Sequence, residues 1–286
     1  MASVLPDIGE VSYIEIDGVN VRLATGGRAD GIPAMLSSPW PESIYAFRGI
    51  LSEIGKSAPY VAIDLPGFGM SQGRSDLMSP IGMARFIVRA AWKLGIKRMH
   101  GIGPDVGALA MLSAAVDRPD LFESLVVGSG ATSVELAAGG LTDLISSQPG
   151  AFAEAEGGDL AVDFVTQSAA SATPPAIMED YWLSSSASRF DHAANFVRSY
   201  PEELPILKEQ LHRIETPVLV LAGRDDPLVP PANGQLLVDH IKRSRQVLLE
   251  GGHLIWEDAA AQYAATVKDW IGGAYLELDE RWRGSK

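Results

Sequence analysis

The sequence contains no cysteine, and this absence removes several classes of chemistry. Disulfide bridges, a thiolate nucleophile and a cysteine-ligated zinc site are excluded. The five histidines are scattered along the chain without a His-Glu-x-x-His pattern, so no metal-binding spacing is found. The segment GIGPDVG, which begins at Gly101, departs from the G-x-G-x-x-G spacing of a dinucleotide-binding loop. We therefore expect neither a metal nor an organic cofactor.

Basic residues are scarce relative to acidic ones. The 23 Lys and Arg residues stand against 36 Asp and Glu residues, which gives a formal net charge of −13. Phosphate recognition needs clustered Lys and Arg, so this composition argues against nucleic acid or an anionic lipid surface as a partner. No run approaches the roughly 18 apolar residues of a membrane span, and the start, MASVLPDIGE, lacks the features of a signal peptide. We expect a cytoplasmic protein without membrane association.

What the chain does contain is an alternation of short apolar runs and amphipathic segments. Two alternating runs, VSYIEI and VNVRLAT, flank Asp17-Gly18, which is a strong hairpin signal. Six further runs have the continuous hydrophobicity of strands buried on both faces, namely 32–36, 59–65, 98–102, 124–130, 217–223 and 245–251. Amphipathic segments separate most of them, at 79–94, 106–118, 231–241 and 258–271. This alternation predicts an α/β fold whose mostly parallel, eight-stranded sheet has helices on both faces.

One long stretch interrupts this alternation. From Ala131 to about Glu215 no strand is predicted, and the sequence is rich in Ala, Ser and Gly with weakly amphipathic pieces. A structureless connection of that length would be unusual in a compact domain. We therefore predict that residues 132–215 form a helical cap inserted after the sixth strand, and that 1–131 and 216–286 together form the core domain.

Three polar residues follow successive predicted strands, each at the point where the strand ends. Asp105 lies between two glycines in Gly-Pro-Asp-Val-Gly, Asp226 follows a later strand with Asp225 beside it, and His253 follows a Gly-Gly turn after the last strand. Ligands of a parallel sheet bind at this edge, so the three side chains are candidates for one site. An alternative is that Asp105 only caps the following helix, since Asp is a preferred N-cap.

Three motifs carry a family resemblance. The order nucleophile, acid, histidine is that of the α/β-hydrolase triad. SPWPES at 38–43 resembles the His-Gly-Trp-Pro-Glu-Ser oxyanion segment of that family, and DLPGFGMS at 64–71 resembles its loop after strand four. With aspartate in the turn, nearly the whole chain resembles the branch that contains epoxide hydrolases and haloalkane dehalogenases. The family spacing Gly-x-x-Asp, counted from Gly223, selects Asp226 over Asp225 as the acid.

The resemblance implies a two-step hydrolysis. Asp105 would displace a leaving group from saturated carbon, and water activated by His253, which Asp226 orients, would hydrolyse the resulting ester. The backbone N–H groups of Trp40 and Val106 would form the oxyanion hole, and the Trp40-Pro41 bond is a candidate cis peptide. Because the cap segment is apolar, we expect a small hydrophobic organic substrate; a homodimer is compatible with the sequence.

Departures from the family pattern leave the leaving group open. Ser38-Pro39 replaces His-Gly in the oxyanion segment, Val197 replaces a cap tyrosine of epoxide hydrolases, and Val106 replaces a halide-binding tryptophan of dehalogenases. Epoxide opening is the leading hypothesis and haloalkane or haloacid dehalogenation the second. A non-catalytic ligand-binding protein, or lactone or lyase chemistry on the same scaffold, is the lowest. The side chains proposed to contact substrate are Trp40, Tyr181, Trp182 and Tyr200.

Overall fold

Eight strands form one sheet in the computed structural model, which describes residues 5–278. They are β1 (Glu10–Ile16), β2 (Val19–Gly27), β3 (Ala34–Ser37), β4 (Pro59–Ile63), β5 (Met99–Pro104), β6 (Phe122–Gly128), β7 (Val218–Gly223) and β8 (Ser244–Leu249). Their order across the sheet is β1-β2-β4-β3-β5-β6-β7-β8. The β1–β2 and β2–β4 pairs are antiparallel and the others are parallel. The predicted mostly parallel, eight-stranded sheet is confirmed.

The hairpin at the start of the sheet follows from two residues. Asp17 and Gly18 have φ angles of 53° and 74°, so both central turn residues are left-handed, and Ile16 pairs directly with Val19. Such a turn matches the right-handed twist of the flanking strands, which is why Asp-Gly favours a two-residue hairpin. This turn fixes the register of the β1–β2 pair.

One expectation about burial is wrong. The run 245–251 is predicted to be buried on both faces, but five of the six residues of β8 are only partly buried. The reason is position: β8 is the last strand of the sheet order, so only one of its sides is paired. Hydrophobicity along a strand does not distinguish an edge from a centre.

Helices connect and cover the strands. Their bounds are α1 (Leu51–Gly55), α2 (Pro80–Lys93), α3 (Val106–Asp117), α4 (Gly139–Ser146), α5 (Gly157–Ser168), α6 (Pro175–Ser185), α7 (Arg189–Arg198), α8 (Tyr200–Gln210), α9 (Ala232–His240), α10 (Ile255–Asp258) and α11 (Ala260–Ile271). The helix predicted at 258–271 is interrupted at Ala259, whose φ of −112° lies outside the helical range. A short helix, α10, therefore follows His253 separately from α11. No helix within residues 5–278 is long and apolar enough to cross a membrane.

The core lies on both sides of the sheet. Successive residues of β3 point to opposite faces, so Met35 packs into one buried cluster while Ala34 and Leu36 pack into another. The first cluster includes the buried side chains of α2 and α3, and the second includes those of α11. Layers on both faces explain why the central strands are apolar throughout.

Helices α4 to α8 occupy the chain between β6 and β7, and a buried ion-pair network attaches α6 to the sheet. The guanidinium of Arg22 on β2 donates to Asp64 Oδ2 and, through a second nitrogen, to Asp180 Oδ2 on α6, each at 2.6 Å. The Ser43 hydroxyl also donates to Asp180, and the side chains of Arg22 and Asp64 are almost fully buried. That this helical segment acts as a cap with bounds at 132 and 215 stays a prediction.

We expect Asp180→Ala to destabilise the protein by about 3 kcal/mol, because it leaves part of a buried guanidinium without its anionic partner. Denaturant unfolding measures this. Asp30→Ala is the matched control, since Asp30 pairs with Arg28 on the surface and such pairs contribute less than about 1 kcal/mol. Equal losses in the two variants would contradict the anchoring role.

Candidate active site

The turn between β5 and α3 holds Asp105 in a strained conformation. Asp105 has φ 54° and ψ −125°, which is rare for a residue with a side chain and costs on the order of 1–3 kcal/mol. The turn is crowded, since a Cβ on Gly103 would lie 2.5 Å from the Gly107 carbonyl oxygen, and one on Gly107 would lie 2.1 Å from Ser37 Oγ. Only glycine fits at either position. The crowding explains the spacing of glycines around Asp105.

The carboxylate of Asp105 is directed away from its own helix. Asp105 stands at the N-cap position of α3, but its side chain makes no capping hydrogen bond. Instead its Oδ2 accepts the backbone N–H of Trp40 at 2.8 Å. The alternative that Asp105 only caps the helix is therefore wrong.

The loop after β3 brings Trp40 to the carboxylate. The Trp40–Pro41 peptide bond is cis, as expected, and the Ser38 N–H bonds the Ile63 carbonyl oxygen at 2.9 Å, which continues the pairing of β3 with β4. Ser38-Pro39 thus leaves the Trp40 N–H in reach of Asp105. Val106 is the first residue of α3, where N–H groups have no partner inside the helix, so its N–H is available beside the same carboxylate.

His253 lies between two aspartates. Its Nδ1 is 2.9 Å from Asp226 Oδ2 and its Nε2 is 3.7 Å from Asp105 Oδ1. The other oxygen of Asp226 accepts the N–H groups of Leu228 and Val229, each at 2.9 Å, which fixes its orientation. Asp225 is exposed whereas Asp226 is buried, so the structure places Asp226, not Asp225, against the imidazole.

The electrostatics of His253 depend on these neighbours. Burial lowers the pKa of His253, but hydrogen bonding and charge attraction from Asp105 and Asp226 outweigh it and bring the pKa to about 10. At neutral pH the imidazole is therefore protonated. If Asp105 lost its charge, the pKa of His253 would fall.

Asp105 and His253 open onto a cavity of about 410 Å³, a size typical of small-molecule sites, while Asp226 is buried behind the imidazole. Its walls combine the ends of the sheet with the helical segment between β6 and β7. The lining residues are Trp40, Pro41, Asp105, Gly140, Leu141, Leu144, Phe164, Gln167, Ser168, Phe190, Val197, Pro227, Leu228 and His253. No Lys or Arg is among these described residues, so the wall is apolar apart from a few neutral polar groups and the ionised pair.

Two of the predicted substrate contacts lie elsewhere. Tyr181 is fully buried and its hydroxyl donates to Glu257 Oε1 at 2.6 Å, away from the cavity lining. The Trp182 indole N–H donates to Asp159 at 2.8 Å in an exposed position. Adjacent residues on a helix point about 100° apart, and neither side chain of this pair lines the cavity. That they contact substrate stays a prediction, and this placement does not support it.

Trp40 and Tyr200 remain near the reacting carboxylate. The Trp40 indole N–H is buried and hydrogen-bonds to no other described residue, while its ring packs on Phe190 with centroids 4.8 Å apart. Burial raises the pKa of Tyr200 well above its ordinary value, and the negative charge of Asp105 raises it further. Tyr200 is buried and, like Tyr181 and Trp182, is not among the residues that line the cavity. Both side chains carry hydrogen-bond donors.

Several residues that line the cavity were not predicted from the sequence. Leu141, Leu144, Phe164 and Phe190 supply much of the apolar wall, and the Phe164 ring meets the His253 ring edge-on with centroids 6.2 Å apart. The apolar positions of each helix were visible in the sequence. Which of them face the cavity depends on how the helices pack, and no local pattern encodes it.

Comparisons with known proteins agree with this fold. The model of the α/β hydrolase fold family matches residues 36–260. A protein of Pseudomonas savastanoi pv. phaseolicola (strain 1448A / Race 6) described as a carbamate hydrolase, RutD, is 30% identical over 246 residues, which are 79% of this chain and 88% of that protein. A protein of the same description from Stutzerimonas stutzeri (strain A1501) is 34% identical over 168 residues, 56% of this chain and 61% of that protein.

A solved structure shares the architecture at low identity. The haloalkane dehalogenase DbeA from Bradyrhizobium elkani USDA94 superposes with a TM-score of 0.78 at 19% identity, over 92% of this chain and 98% of that one. At this identity the similarity concerns the fold.

We expect Asp226→Asn and Asp105→Asn each to lower the pKa of His253 from about 10 by about 1–3 pH units, because each variant removes an anion that stabilises the imidazolium. NMR titration of the His253 ring measures this. Asp225→Asn is the control and should leave the value unchanged, since Asp225 is exposed. An unchanged His253 titration in Asp226→Asn would contradict the assignment of the acid.

Proposed function

The chain belongs to the α/β-hydrolase family, and from this premise we propose that it opens epoxides of small hydrophobic organic molecules through a covalent ester on Asp105. The observation that carries the proposal is the placement of one carboxylate between two groups. Its Oδ2 accepts the Trp40 N–H at 2.8 Å, and its Oδ1 lies 3.7 Å from the His253 imidazole. The carboxylate therefore has a fixed oxygen and a second oxygen beside a base.

An aspartate in this turn selects the kind of carbon that is attacked. Attack on an ester or a carbamate would convert the carboxylate into an anhydride, a poor intermediate for hydrolysis. Attack on saturated carbon gives an ordinary ester, which water can cleave. The activity in the name of the carbamate hydrolase relatives is acyl chemistry and does not suit Asp105.

In the first step, an oxygen of Asp105 forms a bond to one epoxide carbon and the bond from that carbon to the ring oxygen breaks. The electron pair stays on the ring oxygen, which becomes an alkoxide unless a donor supplies a proton. The Tyr200 hydroxyl is the proposed source of this proton, and the Trp40 indole N–H can stabilise the oxygen by a hydrogen bond without giving up its proton. General-acid assistance of this kind contributes typically 10²- to 10⁴-fold to a rate.

In the second step, His253 must become a base. Esterification removes the negative charge of Asp105, one of the two charges that hold the pKa of His253 at about 10. The imidazolium can then release its proton more easily, and this proton neutralises the alkoxide or Tyr200 phenolate that the first step leaves. Neutral His253 takes a proton from water, and the hydroxide attacks the carbonyl carbon of the ester. The Trp40 and Val106 N–H groups stabilise the oxyanion. Collapse of the tetrahedral intermediate releases a diol, and the oxygen of the attacking water stays in the carboxylate of Asp105.

The cavity supports a neutral, hydrophobic substrate. Apolar side chains dominate its lining, and no cationic side chain among the lining residues would pair with a substrate carboxylate. A haloacid would also bring its charge next to Asp105. We propose further that residues 132–215 act as a cap, because Leu144, Phe164, Phe190 and Val197 from this segment line the cavity.

Carbon–halogen cleavage is the second candidate, and the Trp40 indole favours it. A buried N–H without a protein partner beside the nucleophile is a donor that a departing halide could accept from. A halide needs no proton, so Tyr200 would be dispensable for that reaction. The two candidates share Asp105, Asp226 and His253 and differ in their need for an acid.

We expect His253→Gln to accumulate the ester, because alkylation does not need the imidazole as a base whereas hydrolysis does. Intact-protein mass spectrometry after mixing with styrene oxide should show the mass of enzyme plus epoxide, located on the Asp105 peptide. His253→Gln combined with Asp105→Asn should show no adduct. In wild-type enzyme, a single turnover in ¹⁸O-water should label Asp105, and an unlabelled peptide accompanied by diol formation would contradict the covalent route.

Tyr200→Phe separates the two candidate reactions. We expect it to lower kcat on an epoxide by about 10²-fold or more, because the alkoxide loses its proton donor, and to leave halide release from a haloalkane nearly unchanged. Trp40→Phe, which keeps the backbone N–H, should slow both. Tyr263→Phe, a buried hydroxyl in the other core cluster, is the control. Full epoxide turnover in Tyr200→Phe would contradict its role as the acid.

A further inference from the structure

A cluster of ionisable side chains lies behind the catalytic residues, and the reaction described above makes no use of it. We call it the carboxyl cluster; its members are Glu42, Arg48, Tyr181, Trp256 and Glu257. Glu257 pairs with the guanidinium of Arg48 through both oxygens and accepts the Tyr181 hydroxyl at 2.6 Å. Glu42 accepts the Trp256 indole N–H at 3.0 Å. The cluster joins the loop after β3, helix α6 and helix α10.

The charges of the carboxyl cluster do not balance if both acids are ionised. Arg48 is its one basic member, and its guanidinium is already bound to both oxygens of Glu257. Glu42 has no exposed surface, and the indole N–H that it accepts carries no charge. A buried carboxylate without a cation is costly. Burial raises the pKa of Glu42 well above its ordinary value, and the adjacent Glu257, through its charge and a hydrogen bond, raises it further.

Glu42 also touches both halves of the active site through its neighbours. It follows Trp40, whose N–H holds Asp105, by two residues. Its hydrogen-bond partner Trp256 follows His253 by three residues, and the Trp256 ring meets the His253 ring edge-on with centroids 5.7 Å apart. The Glu42–Trp256 hydrogen bond therefore links the loop that carries Trp40 to helix α10, which follows His253.

We propose that Glu42 is a positioning residue that acts as a neutral carboxylic acid and holds the Trp40 loop against the Trp256–His253 unit. Its effect on turnover rests on the function proposed above. The charges of Glu257 on α10 and Asp105 in the β5–α3 turn raise the pKa of Glu42, and Arg48 is already paired with Glu257. The one further cation, His253, packs against the Trp256 ring and is itself paired with Asp105 and Asp226. Tyr181 from α6 adds no charge.

The neutral form of Glu42 favours the second chemical step. An ionised Glu42 would place a further anion near Asp105 and His253, and it would keep the imidazole protonated after the ester has formed. A protonated Glu42 supplies the same hydrogen bonds without that charge. His253 then responds to the loss of charge on Asp105.

Thermal unfolding across pH tests the protonation state without any substrate. A carboxyl whose folded-state pKa is raised stabilises the protein fully below its unfolded pKa of about 4.3, and this stability is lost as pH rises through the folded pKa. Glu42→Gln removes that dependence. We therefore expect the Tm of Glu42→Gln minus that of the wild type to increase by roughly 2 °C or more between about pH 5 and about pH 8. The control Glu209→Gln, an exposed site, should show no trend.

A Tm difference that falls with rising pH would show an ionised, stabilising Glu42 and would overturn the proposal. A Tm difference that does not change with pH would also overturn it. This result stands whether or not epoxides are substrates. It therefore separates failure of this inference from failure of the proposed function.

Turnover variants test the positioning role on a verified substrate. Glu42→Gln, which keeps both hydrogen bonds, should retain kcat within about threefold and the wild-type pH profile of kcat. Glu42→Ala should lower kcat by about tenfold or more, because a misplaced donor costs transition-state stabilisation, and should leave KM nearly unchanged. A shifted pH profile in Glu42→Gln, or a Glu42→Ala enzyme with wild-type kcat, would overturn the positioning role.

Discussion

The hydrogen bond from the Trp40 N–H to Asp105 is the contact on which the rest of the site depends. It fixes one carboxylate oxygen and leaves the other beside His253. The strained backbone of Asp105 and the crowded glycines around it aim the carboxylate, but without a donor from the neighbouring loop its rotation about the side-chain bonds would be free. A charge-assisted bond of this kind is stronger than one between neutral groups. The same contact therefore sets both the position and the electrostatic environment of the Asp105 carboxylate.

The loop after β3 is the common element of the buried polar networks. Its backbone donates to Asp105 at Trp40 and to Asp64 at Ile44. Its side chains accept the Trp256 indole N–H at Glu42 and donate to Asp180 at Ser43. One short segment thus contacts Asp105, the end of β4, helix α10 and the helical segment between β6 and β7. The Glu42 carboxyl and the Ser43 hydroxyl are bonded to partners on α10 and α6, respectively.

Regular elements, and the positions of Asp105, Asp226 and His253 after the ends of their strands, could be predicted from the sequence because their signals are local. Buried strands are continuous apolar runs, the hairpin follows from Asp17-Gly18, and Asp105 lies in a turn whose glycines are adjacent to it. The direction of Tyr181 and Trp182 could not be predicted, since α6 is buried on more than one side and its pattern does not say which face meets the cavity. The exposure of β8 depends on the sheet order, which hydrophobicity alone does not reveal.

Long-range pairs were also beyond the sequence. Glu42 and its partner Trp256 are separated by 214 residues, and Arg22 and Asp180 by 158. Nothing near either residue marks it as half of a pair, because a lone acidic or basic residue is usually solvated. Only the packed sheet brings them together. Burial then gives these pairs an influence on pKa values and stability that the same residues would lack at the surface.

The division of the cavity wall has an evolutionary consequence. The reacting groups come from turns at the sheet edge, whereas Leu141, Leu144, Phe164 and Phe190 come from the helices between β6 and β7. Substitutions in these helices can therefore change which molecules are accepted while the bond-making apparatus is inherited intact. The Arg22–Asp180 anchor keeps the helices attached while their inner faces diverge. Related proteins with this architecture can therefore differ in substrate while they keep the same residues at the edge of the sheet.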